Sequence, residues 1–371
     1  MVKMRLHKKQ GKLAIAGLFV TWVPLVIITA IEGTLYTGTQ LPFLYDVGMQ
    51  SRVLVAFPML IMIKVVIDSK VFLVAKYISE ALITGEERQI ILASALHRAK
   101  QLTNSAIAEI TILFIVIVAT VSLVKGSAFS ALNTGTTSWM TSSGQENNGL
   151  SIAGYWAVII SIPLFQFLLF RWLWRYFVWI LLLFRLSKAP LNLLPTHADR
   201  AGGLGIIMMA QRSFNLIFVA CAVVLSGQFI QQLIEHPDAY NTIRSESIAF
   251  MVLSIVFILI PLFFFTGKLL KTKNKGLLHL SNLGATLSRK FEKEWISDLP
   301  NEDRIEEKQV DPSMLYDYSG LYEQIQKFRT VPVTIHDIVG LAIILFVPFI
   351  PILFIHFSIG ELLQKIAGLL V

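Results

Sequence analysis

Residues 247–275 read SIAFMVLSIVFILIPLFFFTGKLLKTKNK, and this stretch decides the fold. Its first 23 residues, 247–269, carry one charge, Lys268 near the end, and exceed the ~20 apolar residues a helix needs to cross a bilayer. Lys268, Lys271, Lys273 and Lys275 then mark one flank, while the segment before it, 234–246, holds a single basic residue, Arg244. A long apolar run with cations on one side only is a membrane span with a readable orientation.

The same pattern recurs along the chain. Spans are expected at 13–31, 53–75, 105–124, 151–171, 213–233, 247–269 and 337–357, seven in all within a range of six to eight. The second is the least clean, because Lys64, Asp68 and Lys70 fall in its latter half. Basic residues gather on alternate connections: Lys3, Arg5, Lys8, Lys9 and Lys12 at the N-terminus, four between 76 and 104, six between 171 and 212, and a longer series from 268 onward. The intervening loops hold one each, Arg52, Lys125 and Arg244. The positive-inside rule places the N-terminus in the cytoplasm and, with seven spans, the C-terminus outside.

Composition agrees with this class. Hydrophobic residues make up 55% and charged residues 15%, well below the roughly 25% of a soluble domain. Mean hydropathy is +0.66. Cys221 is the only cysteine, which excludes an intrachain disulfide, and its apolar surroundings make it a small hydrophobe. The first apolar run is longer than a secretory h-region and lacks a small-x-small cleavage site, so it reads as a retained span.

The expected organisation is an all-α membrane protein with helical cytoplasmic extensions, assembled as an oligomer. Residues 1–75 hold the first two spans and 76–104 a helical hairpin beneath the membrane. Residues 105–269 hold spans three to six with a cytoplasmic linker at 185–212; 270–336 form a cytoplasmic helical segment. The tail 337–371 is a span kinked by Pro348 and Pro351 or a re-entrant hairpin. The loop 126–150, rich in Ser, Thr, Asn and Gly, reads as mobile.

Charges within spans are costly and therefore informative. Lys64, Asp68, Glu109, Arg171 and Arg175 are the pore or cavity candidates, with an interfacial ion pair or aromatic anchor belt as the plainer role of each. Lys271, Lys273, Lys275, Arg289, Lys290 and Lys293 are ligand-binding candidates, because a basic face with an aromatic such as Phe291 suits backbone phosphates and a stacked base; attraction to anionic lipid is the alternative. The loop Pro195–Gly205, PTHADRAGGLG, sets His197, Asp199, Arg200, Gly202 and Gly203 ahead of a helix N-terminus, where glycines can cradle phosphate. Its spacing fits neither a Walker loop nor a dinucleotide fingerprint, so a packed structural turn stands beside that reading. No GxSxG, HExxH, CxxC or kinase-type motif occurs, so no catalytic set, metal site or cofactor is expected.

PTHADRAGGLG, the amphipathic stretch 71–83 ending VAKYISEALI, and VPFIPIL at 347–353 resemble a widespread family of bacterial multi-pass membrane proteins. More loosely, the chain is similar to the membrane effector of the Hailong anti-phage defence system. That resemblance implies an oligomeric channel-like protein, with a tetramer favoured, held shut by single-stranded DNA oligomers and released when phage nucleases destroy them. The functional expectation is thus an ion channel or pore-type effector of the bacterial inner membrane, in contact with the lipid bilayer and gated by single-stranded DNA or a nucleotide. A secondary transporter, and a membrane enzyme using His197, Asp199 and Arg200, are the alternatives.

Overall fold

A computed structural model describes residues 2–83, 86–134, 137–141, 149–297 and 311–356. The described residues are almost wholly helical, with two isolated β-bridges, Leu41 to Ser138 and Thr141 to Leu150, at one end.

Prolines punctuate the helices. Pro24 follows the break between α1 (Val2–Thr21) and α2 (Val23–Ile31). Between α3 (Val47–Gln50) and α4 (Phe57–Tyr77) the chain widens to a π turn over Ser51–Ala56, just ahead of Pro58. A second π turn, Ala157–Ser161, joins α7 (Ile152–Trp156) to α8 (Ile162–Lys188) ahead of Pro163. Pro261 lies in the 3₁₀ stretch Ile260–Phe265 between α10 (Tyr240–Leu259) and α11 (Thr266–Phe291). Pro348 lies in the 3₁₀ turn Val347–Phe349 between α13 (Ile335–Phe346) and α14 (Ile350–His356). Each ring lacks a donor and crowds the carbonyl four residues back, so the helix re-pitches there instead of stopping.

The bundle is built around α9 (Ile206–Glu235), the most buried of the long apolar helices. It packs on α3 and α4, on α10, and on α13 and α14. Close approach to the first neighbour needs Gly227, whose Cβ would fall 2.1 Å from the Ser51 hydroxyl. Farther out, α8 packs against α5 (Glu86–Thr103) and α6 (Ala106–Thr134), and α1 against α4. The helix α12 (Pro312–Gln326) lies along α11, with Gly284 accommodating the Tyr318 ring.

About one and a half turns into α9, near the basic end of the bundle, lies a buried polar knot. Gln211 Oε1 accepts from Trp179 Nε1 at 2.8 Å, and Gln211 Nε2 donates to the Tyr176 hydroxyl at 2.9 Å and to the Ile258 carbonyl. Tyr176 in turn donates to the Phe257 carbonyl at 3.0 Å. The Ile258 carbonyl sits two residues before the proline-led 3₁₀ stretch, and so close to the place where the regular ladder fails.

The two ends of the bundle differ in character. The basic connections meet at one end: Asn192 donates to the Leu82 carbonyl at 2.9 Å, Lys268 to the Ala189 carbonyl, and Gly276 abuts Pro195. At the opposite end Asp46 accepts from Met49 N at 2.8 Å and from Trp139 Nε1 at 3.0 Å. There Trp139 is fully buried against Phe43.

Among the described residues six helices are long and apolar enough to cross a membrane: Lys8–Ile31, Gln89–Ser122, Ile152–Lys188, Ile206–Glu235, Pro237–Ile296 and Ile335–Ile355. The expected second span is a helix but is not among the six; Lys64, Asp68 and Lys70 dilute it. The hairpin expected at 76–104 takes the form of a π turn at Ile78–Leu82 and α5. The chain from Ile335 to His356 runs as one kinked rod without reversing. The tail after His356, the acidic stretch 298–310, and residues 135–136 and 142–148 of the expected mobile loop lie outside the described residues, and so do the side chains of 123–134, Lys125 among them.

Candidate functional site

The five charges singled out within spans come together as one line across three helices. On α4, Lys64 Nζ pairs with Asp68 Oδ2 at 2.9 Å, and the other carboxylate oxygen of Asp68 faces Arg175 of α8 at 3.5 Å. One turn before Arg175, Arg171 pairs with Glu109 of α6 at 3.0 Å. The Arg175 guanidinium lies over the Trp172 ring, 5.0 Å from its centroid, which fixes the long side chain on the α8 surface. From Ile152 to Arg171 the helix rises about 28 Å, so the line lies about one hydrocarbon thickness from the opposite end.

A cleft of 320 Å³ opens beside Asp68 and Arg175, walled by α4, α5 and α8. Trp172, Trp179 and Phe214 give it aromatic sides, and Lys100 with Asn104 closes its basic end. A second hollow, 520 Å³, runs between α6 and α8 from Glu109 to Val116 and is otherwise apolar.

The basic candidates, five on α11 and Lys293 on the π turn Glu292–Ser297 that follows it, do not form one patch. Lys271, Lys275, Arg289, Lys290 and Lys293 are exposed, whereas Lys273 is half-buried on the other side of the helix. None of the six makes an ion pair among the described residues. Phe291 stacks on Trp295 with ring centroids 6.0 Å apart, so that ring is already engaged.

The PTHADRAGGLG loop is a self-filled anion cradle. Asp199 Oδ1 accepts from the amides of Ala201 (2.8 Å) and Gly203 (3.1 Å), and Oδ2 from Gly205 (2.9 Å), at the head of α9. The phosphate-like position at this helix N-terminus is therefore taken by the chain's own carboxylate. Burial pushes the Asp199 carboxyl up, but the hydrogen bonds from Ala201, Gly205, Gly203 and His197 outweigh it and hold it below the usual carboxylate range. The turn needs backbone with positive φ at Arg200 (51°), Gly202 (65°) and Gly203 (94°). A Cβ on Gly203 would also fall 2.7 Å from Leu82 Cδ2, so Gly203→Ala is expected to cost about 1–3 kcal/mol in a detergent unfolding titration.

Around this cradle a second network forms. His197 Nδ1 lies 2.7 Å from Asp199 Oδ1, and His197 Nε2 lies 3.2 Å from the Tyr77 hydroxyl at the end of α4. The Asp199 amide also points at Nδ1, at 3.2 Å, so the ring's tautomer, and with it the direction of the Tyr77 contact, follows whichever of the two Nδ1 contacts holds. Burial, and then the Asp199 charge, push the Tyr77 hydroxyl above its ordinary value. From the far side Arg329 donates its guanidinium to the Asp199 carbonyl and its amide to the Arg200 carbonyl at 2.7 Å. Gln324 of α12 donates to the Thr196 carbonyl at 3.1 Å.

Tyr77 lies in the VAKYISEALI stretch without being singled out there, and Gln324 and Arg329 belong to no motif; only their positions flanking helix ends could have suggested them. A further pair, Arg212 of α9 with the buried Asp337 at the head of α13, also escaped motif reading. Among the described residues no group of three metal-ligating side chains occurs. Comparison with protein-family models, curated proteins and solved structures finds no match.

Proposed function

We propose that this chain is one subunit of an oligomeric channel in a bacterial inner membrane, gated at its basic end by a polyanion such as a single-stranded DNA oligomer or a nucleotide. The observation that carries the reading is the exposed charge on α4. Lys64 and Asp68 are 39% and 50% exposed on a helix otherwise fit for a bilayer. Lys64 and Asp68 sit at the level of Arg175, at the basic margin of the bundle, so this partly exposed charged face suits the mouth of a water-filled path between subunits. In this arrangement α4 supplies a seventh crossing. The cations of α11, which make no ion pair among the described residues, hang below the path, where they can neutralise phosphates. Loss of the ligand would then open the path and arrest growth, in keeping with the anti-phage role implied by the Hailong resemblance.

The test has two arms. Native mass of the detergent-purified protein should show a defined oligomer, a tetramer for preference, with an oligonucleotide or nucleotide retained. Reconstituted in liposomes, it should conduct when nuclease removes the ligand, and Lys64→Glu should change the cation-to-anion permeability ratio by about threefold or more. A monomer that conducts nothing in either state overturns the reading.

A membrane enzyme is the second reading, carried by the hydrogen-bonded series Tyr77, His197 and Asp199, in which an oriented imidazole sits beside a hydroxyl. If His197→Gln abolishes growth arrest while the oligomer and its conductance persist, the enzyme displaces the channel.

A further inference from the structure

The hollow between α6 and α8 has a shape and a charge pattern the channel reading does not use. Its floor is Val116, 2% exposed, and its rims are Ile110, Leu113, Ile159 and Leu164, all substantially exposed. It owes its width to the π turn at Ala157–Ser161 and to Pro163, which lines it and offers no backbone donor. Its lining runs from Glu109 to Val116 on α6 and from Ile159 to Phe167 on α8, about 10–12 Å along the helices, enough for the upper half of one extended acyl chain.

At the end nearer the basic connections the groove is closed by Glu109, one of its lining residues, and by Arg171 in contact with it. The two are 47% and 45% exposed, at the depth where phosphates of that leaflet begin. A guanidinium offers paired donors to a phosphate, and a carboxylate accepts from an ammonium. The pair is therefore the mirror of a headgroup with one phosphate and one primary ammonium. Without such a headgroup the two side chains satisfy each other, so an empty groove leaves no stranded charge.

We infer that the α6–α8 groove is a binding site for a phospholipid of the phosphoethanolamine class, with one acyl chain along Leu113, Val116, Pro163 and Leu164, the phosphate on Arg171 and the ammonium on Glu109. Phosphatidylglycerol lacks the ammonium and brings its negative charge towards Glu109. Phosphatidylcholine has a quaternary ammonium with no hydrogen to donate. Selectivity thus belongs to the headgroup, while the groove supplies apolar burial common to all three. The inference requires a membrane-embedded chain and is independent of whether that chain conducts.

The test is native mass spectrometry of the full-length protein in mild detergent, given equal amounts of phosphatidylethanolamine, phosphatidylglycerol and phosphatidylcholine with identical acyl chains. Wild type should retain phosphatidylethanolamine about tenfold over each of the others, the scale of one hydrogen bond to a charged group. Glu109→Gln should erase most of that preference while retaining lipid. Leu113→Trp, which fills the groove from an exposed rim, should lower retention of all three lipids without altering the oligomer or its elution. Equal retention of the three lipids by wild type, or an unchanged preference in Glu109→Gln, overturns the assignment. Unchanged retention in Leu113→Trp places bound lipid elsewhere and overturns it too.

Discussion

Replacing Asp199 by Ala should be among the most damaging single changes in this chain, costing about 3–5 kcal/mol of stability. The carboxylate answers three backbone amides at the head of the most buried membrane helix, and its loss leaves them beneath Leu82 and Tyr77 without an acceptor. Each orphaned amide costs on the order of 1–3 kcal/mol, with partial relief from water at this end of the bundle. Asp199→Asn, which keeps one carbonyl, should fall between wild type and Ala. A chemical unfolding titration of the detergent-solubilised protein measures both, and an Ala variant within about 0.5 kcal/mol of wild type would show that the amides find other partners. The same group sets an acid limit. Its folded-state carboxyl titrates lower than in the unfolded chain, so its contribution is complete above the unfolded value and disappears as pH falls through the folded one. Wild type should therefore lose more stability than Asp199→Asn when pH drops from about 5 to about 3.

Gln211→Leu is the second large effect. The side chain is fully buried and joins α8, α9 and α10 through Trp179, Tyr176 and the Ile258 carbonyl. Leucine is of similar bulk and leaves the Trp179 indole donor and the Ile258 carbonyl unmatched in an apolar surround, for a loss of about 2–4 kcal/mol. Gln211→Glu keeps the acceptor for Trp179 but loses the amide donor to Tyr176 and Ile258, and should restore less than half. Thermal unfolding followed by tryptophan fluorescence reads the result directly, since Trp179 is one of the reporters. A Leu variant as stable as wild type would mean that the three helices are held by packing alone.

Much of the architecture is present in hydropathy and charge, because those patterns report a solvent boundary and not a set of contacts. The alternation of loops rich and poor in basic residues separates the chain into two sets, and the structure gathers Leu82, Ala189, Pro195 and Lys268 of the basic set at one end. The helical periodicity of 76–104 and the amphipathic stretch 277–295 fall on the helices Glu86–Thr103 and Thr266–Phe291, whose bounds the pattern does not give. The count is less legible: Lys64, Asp68 and Lys70 read the same on an interfacial helix and on a path-lining one, and composition does not separate the two. The partners of charge were hidden for a different reason. Lys64 and Asp68 are four residues apart and visible to a helical rule, but Arg171 and Glu109 are 62 positions apart and meet only once α6 and α8 are antiparallel. In the PTHADRAGGLG loop the glycines marked an unusual backbone, yet the acceptor that fills it is the loop's own Asp199. A motif shows that amides converge; it does not say which anion they converge on.

One residue of the basic end joins two parts of the molecule. Arg329, just beyond α12, holds the Asp199 and Arg200 carbonyls while Asp199 caps α9. The position of α12, and through it of α11, and the integrity of the membrane helix therefore share one free-energy minimum. Any load that draws α12 away works against the first turn of α9, and by reciprocity a strained α9 loosens the grip on α12. The bundle and the helices beneath it are thermodynamically linked, so a force applied at one is an equilibrium shift at the other.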